Sequence, residues 1–224
     1  MSKTLFLLGW VLATMSAAGS AAADDWADFV AHSDRTANTT IVLIIDSGDL
    51  QTQTRIAEAL GRRADPDVTE IIQYLSNRSG QRPRYQSEYL LRILLSSMMQ
   101  ASAADTLQRL RANAATLDPL IRELPDIQDP QTCALLVQAA AMLDFVAYAP
   151  YLAAEASSVI ARVGSQNGET TPQQGQLLTI LLESLDSRPS SDFLEIFHRA
   201  ERTSIDAGVV DAAREGAQRA ASGS

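Results

Sequence analysis

The chain has 224 residues, of which 46% are hydrophobic, 20% charged and only 5% aromatic, so its apolar content comes from Leu, Ile, Val and Ala and is globular rather than disordered. A single cysteine excludes an internal disulfide framework or a cysteine-based metal cluster, and two histidines leave few candidates for metal binding or general-base chemistry. The net charge of -9 argues against a nucleic-acid partner.

Residues 1–23 read as a secretory signal peptide. Lys3 is the positive start, Leu5 to Met15 the apolar stretch, and Ala21-Ala22-Ala23 the small residues of a cleavage site. The stretch is too short to span a bilayer, which takes about 20 residues. Cys133 is far from the cleavage point, so no lipoprotein cysteine is expected. Cleavage after Ala23 removes Lys3, the only lysine, and leaves residues 24–224 with a formal charge of -10 and arginine as the sole strongly basic residue. An Ala- and Arg-rich chain without lysine fits a GC-rich bacterial genome. The expected destination is the periplasm or the exterior.

The mature chain is expected to be one all-α domain. Trp26, Phe29 and Val30 mark a charged first helix, which also holds His32 four residues after Asp28. With Asp24 and Asp25 these can attract a cation weakly, but the segment reads better as the cap of a helical stack. Thr39 to Ile45 is β-branched and fits a buried strand or a buried helix; with no other strand to pair with, it is read as a helix. Asp46-Ser47-Gly48-Asp49 lacks the twelve-residue calcium-loop pattern and reads as a helix end followed by a new N-cap.

Leu50 to Arg62 groups Ile56, Ala57 and Leu60, and Val68, Ile71, Ile72 and Leu75 recur at helical spacing. Gln86 to Gln100 is apolar almost all round. A helix from about Ala104, amphipathic over Thr106 to Leu117, is expected to end or kink at Pro119 and Pro125. Gln131 to Asp144 is apolar, Tyr151 to Val163 amphipathic and Gln173 to Leu185 strongly apolar. Phe193 to Glu201 and Ala207 to Ala221 complete the series. Asp65-Pro66, Asp129-Pro130, Thr171-Pro172 and Arg188-Pro189-Ser190-Ser191 carry the N-cap and N1 signals of helix starts.

The second helix of each successive pair starts near Gln51, Gln86, Pro130, Gln174 and Asp206, at intervals of 32 to 44 residues. Helical-hairpin solenoids repeat at roughly 33 to 47 residues. Strongly apolar helices alternate with amphipathic ones, as a two-layer stack requires. Residues 49–75 sharpen this. An Arg55 is followed by Ile56-Ala57-Glu58-Ala59-Leu60-Gly61, then by Asp65-Pro66-Asp67 opening the next helix. This stretch resembles the HEAT-like (armadillo-type) repeat family. Ala59 and Gly61 permit close helix approach, Asp65 caps, and Pro66 stands where no N–H is needed. The resemblance implies a right-handed α-α superhelix of about five hairpins and a scaffold that binds a protein or peptide.

No fingerprint of a nucleotide site, esterase or metalloprotease is present, so neither catalysis nor a cofactor is expected. The alternative is a metal-dependent accessory protein or enzyme built on His198, with Glu195 and Glu201 three residues to either side on one helix face. Arg199 and Arg202 favour an ordinary salt-bridged surface instead. Cys133, in an apolar helix without a visible base, reads as a buried thiol. The one basic, aromatic stretch in this acidic chain holds Tyr74, Arg78, Arg82, Arg84, Tyr85, Tyr89 and Arg92. Arg and Tyr are enriched where proteins dock, so these seven are the expected partner-binding residues.

Overall fold

The computed structural model describes residues 49–62 and 84–222, and all regular structure among them is helical. The eight helices described are α1 (Leu50–Arg62), α2 (Arg84–Met99), α3 (Ala103–Ala112), α4 (Ala114–Arg122), α5 (Pro130–Ser165), α6 (Pro172–Asp186), α7 (Leu194–Thr203) and α8 (Ala207–Ser222). Short 3₁₀ turns stand at Leu124–Asp126 and Ser191–Phe193. Residues 1–48, with the expected signal segment and the Thr39 to Ile45 stretch, and residues 63–83, with Asp65-Pro66, lie outside the described residues. The chain divides into two compact units between Asn113 and Ala114.

In the first unit, Asp49 caps α1 by accepting the Thr52 N–H at 2.7 Å. Ile56, Ala57 and Leu60 are buried, and Leu90, Leu91, Leu94, Leu95 and Met98 of α2 are likewise. The two helices lie side by side and point the same way. Gln86 Nε2 donates to Gln53 Oε1 at 2.9 Å near their starts. Near their ends Gly61 comes so close to α2 that a Cβ there would lie 2.6 Å from Ser97 Cβ. Only a residue without a side chain permits that approach. Ser102 caps α3, accepting the Asp105 N–H at 3.2 Å.

The helix expected to start near Ala104 does begin there, but it stops at Asn113 and not at a proline. Asn113 (φ −108°, ψ 9°) turns its side-chain amide back onto the Arg109 carbonyl at 2.9 Å, offering the backbone an alternative to the next helical bond. A new helix, α4, then runs through Pro119 as far as Arg122. Pro125 falls in the first 3₁₀ turn.

The second unit begins with α4. Asp129 caps α5 by accepting the Thr132 N–H, with Pro130 in the first turn. The apolar and amphipathic segments expected as separate helices follow each other directly. Asp144 alone leaves helical geometry (φ −159°, ψ 89°), and its Oδ1 accepts the Ala147 N–H at 3.2 Å, capping the second half of α5. Thr171 and Gln174 form a reciprocal capping box at the start of α6. Cys133 is buried in the first half of α5, as its apolar setting predicted.

Two hairpins follow one another. The second half of α5 turns through residues 166–171 into α6; α7 turns through 204–206 into α8. Corresponding helices run in the same direction. Phe193 meets Phe145 edge-on, with ring centroids 6.4 Å apart, at one end of the α5–α7 contact, and Thr203 faces Gly164 at the other. Thr170 Oγ1 donates to Asp206 Oδ2 at 3.3 Å near the starts of α6 and α8, and Arg219 Nε donates to Asp186 at 2.8 Å near their ends. The turns bond to each other through the Ile205 N–H and the Gly168 carbonyl at 3.1 Å. The core of this unit is mainly Leu, Val, Ile and Ala side chains joined by Cys133, Phe145 and Tyr148, with Phe197 wholly enclosed between α7 and α8.

Candidate partner-binding surface

Of the seven residues expected to bind a partner, Tyr74, Arg78 and Arg82 lie outside the described residues. Arg84 and Tyr85 open α2. Tyr89 and Arg92 stand one turn apart on that helix, both half-buried, and the Arg92 guanidinium carbon lies 5.0 Å from the Tyr89 ring centroid. A cation stacked on a tyrosine face gains roughly 0.5–1 kcal/mol at a partly wet site and holds both groups in one orientation. The face of α2 that carries them continues through the half-buried Ile93, Ser96 and Met99. The same helix is held against α1 by the Gln53–Gln86 bond and by the close approach at Gly61.

A second arginine–tyrosine cluster in the other unit was not singled out by the sequence. Arg122 of α4 donates through Nε to Asp118 Oδ2 at 2.8 Å and through Nη1 to the Tyr151 hydroxyl, and its guanidinium carbon lies 4.9 Å from the Tyr151 ring centroid. Tyr148, buried, donates to the other Asp118 oxygen at 3.2 Å. The Arg122 hydrogen bond holds the Asp118 carboxyl below its ordinary value, and the Tyr148 donation adds to that. Burial pushes the Tyr148 phenol up, and the neighbouring Asp118 charge adds to this. The sequence signal was there in part: Asp118 and Arg122 are four apart, Tyr148 and Tyr151 three apart. What the sequence lacked is the thirty-residue link between the pairs.

The alternative cluster does not converge. His198 is exposed on α7. Glu195 is paired with Arg202 at 3.2 Å and Glu201 with Arg214 of α8 at 3.2 Å, so the two carboxylates are committed to different arginines. Among the described residues no three His, Cys, Asp or Glu side chains are grouped to hold a metal ion. The segment with Asp24, Asp25, Asp28 and His32, expected as a first helix, lies outside the described residues.

Helix α5 is long and apolar enough to cross a membrane, but half of its most apolar stretch is buried inside the protein, and Asp144 interrupts its helical geometry. It is the core helix of its unit, packed by α4, α6 and α7.

No protein-family model, no curated protein and no solved structure matches the chain.

Proposed function

We propose that the protein is an exported HEAT-like scaffold, a right-handed stack of about five helical hairpins, that binds another protein or peptide and has no catalytic role. One observation carries the reading. Helices one repeat length apart in sequence lie side by side and point the same way: Gln53 meets Gln86 and Asp186 meets Arg219, each 33 residues apart, Thr170 meets Asp206 36 residues on, and Gly164 faces Thr203 39 residues on. Stacked hairpins require equivalent helices of successive units to be parallel neighbours at the repeat period. The helix starts at Leu50, Arg84, Pro130, Pro172 and Ala207 lie within two residues of the five positions expected for second helices. Such stacks display long surfaces rather than deep catalytic clefts, which favours a macromolecular partner.

The proposed docking segment is Tyr74, Arg78, Arg82, Arg84, Tyr85, Tyr89 and Arg92, and the partner surface that suits it is acidic and apolar. The proposed location is the periplasm or the exterior, reached through cleavage of residues 1–23. The test has two arms. Proteins captured from an envelope extract by the immobilised mature chain are compared with those captured by Arg82→Glu/Arg84→Glu, and each differential protein is then purified and titrated by calorimetry. Saturable binding lost on charge reversal supports the reading. An unchanged set of captured proteins removes this segment as the docking surface.

A further inference from the structure

Glu155, on the second half of α5, has a side chain only 1% exposed. Its Oε1 accepts from Arg162 Nη2 at 2.8 Å, while its Oε2 is buried and meets no donor among the described residues. Arg162 is itself 46% exposed and divides its donors, giving Nη1 to Ser158 Oγ at 3.3 Å. A buried carboxylate needs several donors to replace lost water, and this one has a single, half-solvated counterion.

The helices packed on α5 bring no second charge to it. Asp118 and Arg122 of α4 pair with each other, Asp186 of α6 pairs with Arg219, and on α7 Glu195 pairs with Arg202 and Glu201 with Arg214. Among the described residues Glu183, His198, Arg199 and Asp126 make no ion pair or hydrogen bond with Glu155, whose one charged contact is Arg162.

We propose that Glu155 and Arg162 form a proton-operated latch, in which the second half of α5 is held more tightly when Glu155 is neutral than when it is charged. Neutralisation removes the desolvated charge facing no donor at Oε2, and leaves Oε1 to accept from Arg162. Burial, the largest influence, accordingly pushes the Glu155 carboxyl above its ordinary 4.5 against the opposing pull of Arg162. The folded protein then binds this proton more tightly than the unfolded chain. The resulting stabilisation is full below about pH 4.5 and is lost as pH rises through the higher folded value.

The test is urea unfolding of the full chain between pH 4 and 8, comparing wild type with Glu155→Gln, and with Glu169→Gln as a control for removing one exposed acid. The wild-type and control midpoints should fall as pH rises through this range, and the Glu155→Gln midpoint should fall less. Parallel curves for all three overturn the latch. Should Glu155→Gln not fold, carbon-detected titration of the wild-type carboxyl decides: a midpoint above 4.5 sustains it, and one at or below 4.5 overturns it.

Discussion

The Phe197 ring occupies the place where a side chain at position 216 would begin. A methyl group on Gly216 would lie 2.6 Å from Phe197 Cδ1, well inside contact distance, and Phe197 is fully buried there. The glycine is what lets α7 and α8 close on a phenylalanine.

Gly216→Ala therefore sets two effects against each other. Alanine in a helix interior is favoured over glycine by about 1 kcal/mol. Overpacking a close-packed core costs roughly 1–3 kcal/mol, and here the intruding atom meets a ring with no open side. The clash should win, lowering the urea midpoint. Combining it with Phe197→Leu should recover part of the loss, because the leucine vacates the ring edge. A strictly additive double mutant would show that the two positions do not compete for space.

Arg109 ties the first unit together. Its Nη1 donates to the Gly61 carbonyl at 3.3 Å and to the Ser97 carbonyl at 3.4 Å, so one side chain of α3 satisfies the ends of both α1 and α2. Arg109→Met keeps most of the aliphatic stem and deletes the donors. Leaving such carbonyls without a partner costs roughly 1–3 kcal/mol when they are shielded from water. Faster amide exchange at the C-terminal turns of α1 and α2 is expected, with α7 and α8 unaffected. Uniform acceleration across the chain would place the effect elsewhere.

The Asp118 cluster predicts an acid-side dependence of the opposite sign to that of Glu155. Arg122 and Tyr148 hold the Asp118 carboxyl below its ordinary 3.8. A lowered folded value means stabilisation that is present above the unfolded value and lost as pH falls through the folded one. The group is partly exposed, so solvent screening keeps the effect small. Carboxyl titration should place Asp118 below 3.8 in the wild type and return it toward 3.8 in Arg122→Ala. Tyr148→Phe should produce a smaller return, because its hydrogen bond is the weaker of the two influences.

What could be read from the sequence was whatever a few neighbouring residues decide. Asp129-Pro130 and Thr171-Pro172 start helices because a side-chain oxygen and a ring that needs no N–H do this locally. The length of α5 was not readable, because Asp144 ends one helix and caps the next in a single residue, leaving no loop to see. Nor was the end of α3, where Asn113 acts through a bond to Arg109 while Pro119, which looked like the breaker, is carried inside α4. The Asp118–Tyr148 and Arg109–Gly61 links depend on how helices dock, and helical periodicity names a buried face without naming its partner.

The turn between α5 and α6 offers the clearest contrast between adjacent residues. Asn167 (φ 58°) and Gly168 (φ 82°) are both in the left-handed region, and the Gly168 N–H closes the helix end on the Val163 carbonyl at 3.0 Å. Asparagine tolerates that conformation, so Asn167→Gly should change stability little. Gly168 carries two further constraints. A Cβ there would lie 2.5 Å from the Thr203 carbonyl oxygen, and the Gly168 carbonyl receives the Ile205 N–H that joins one hairpin turn to the next. Gly168→Ala should therefore cost more than the roughly 1–2 kcal/mol of left-handed strain alone, with the excess measuring the contact between turns. Protease cleavage in residues 203–206 should accelerate in Gly168→Ala and not in Asn167→Gly. Equal effects at the two positions would mean that the turns do not support each other.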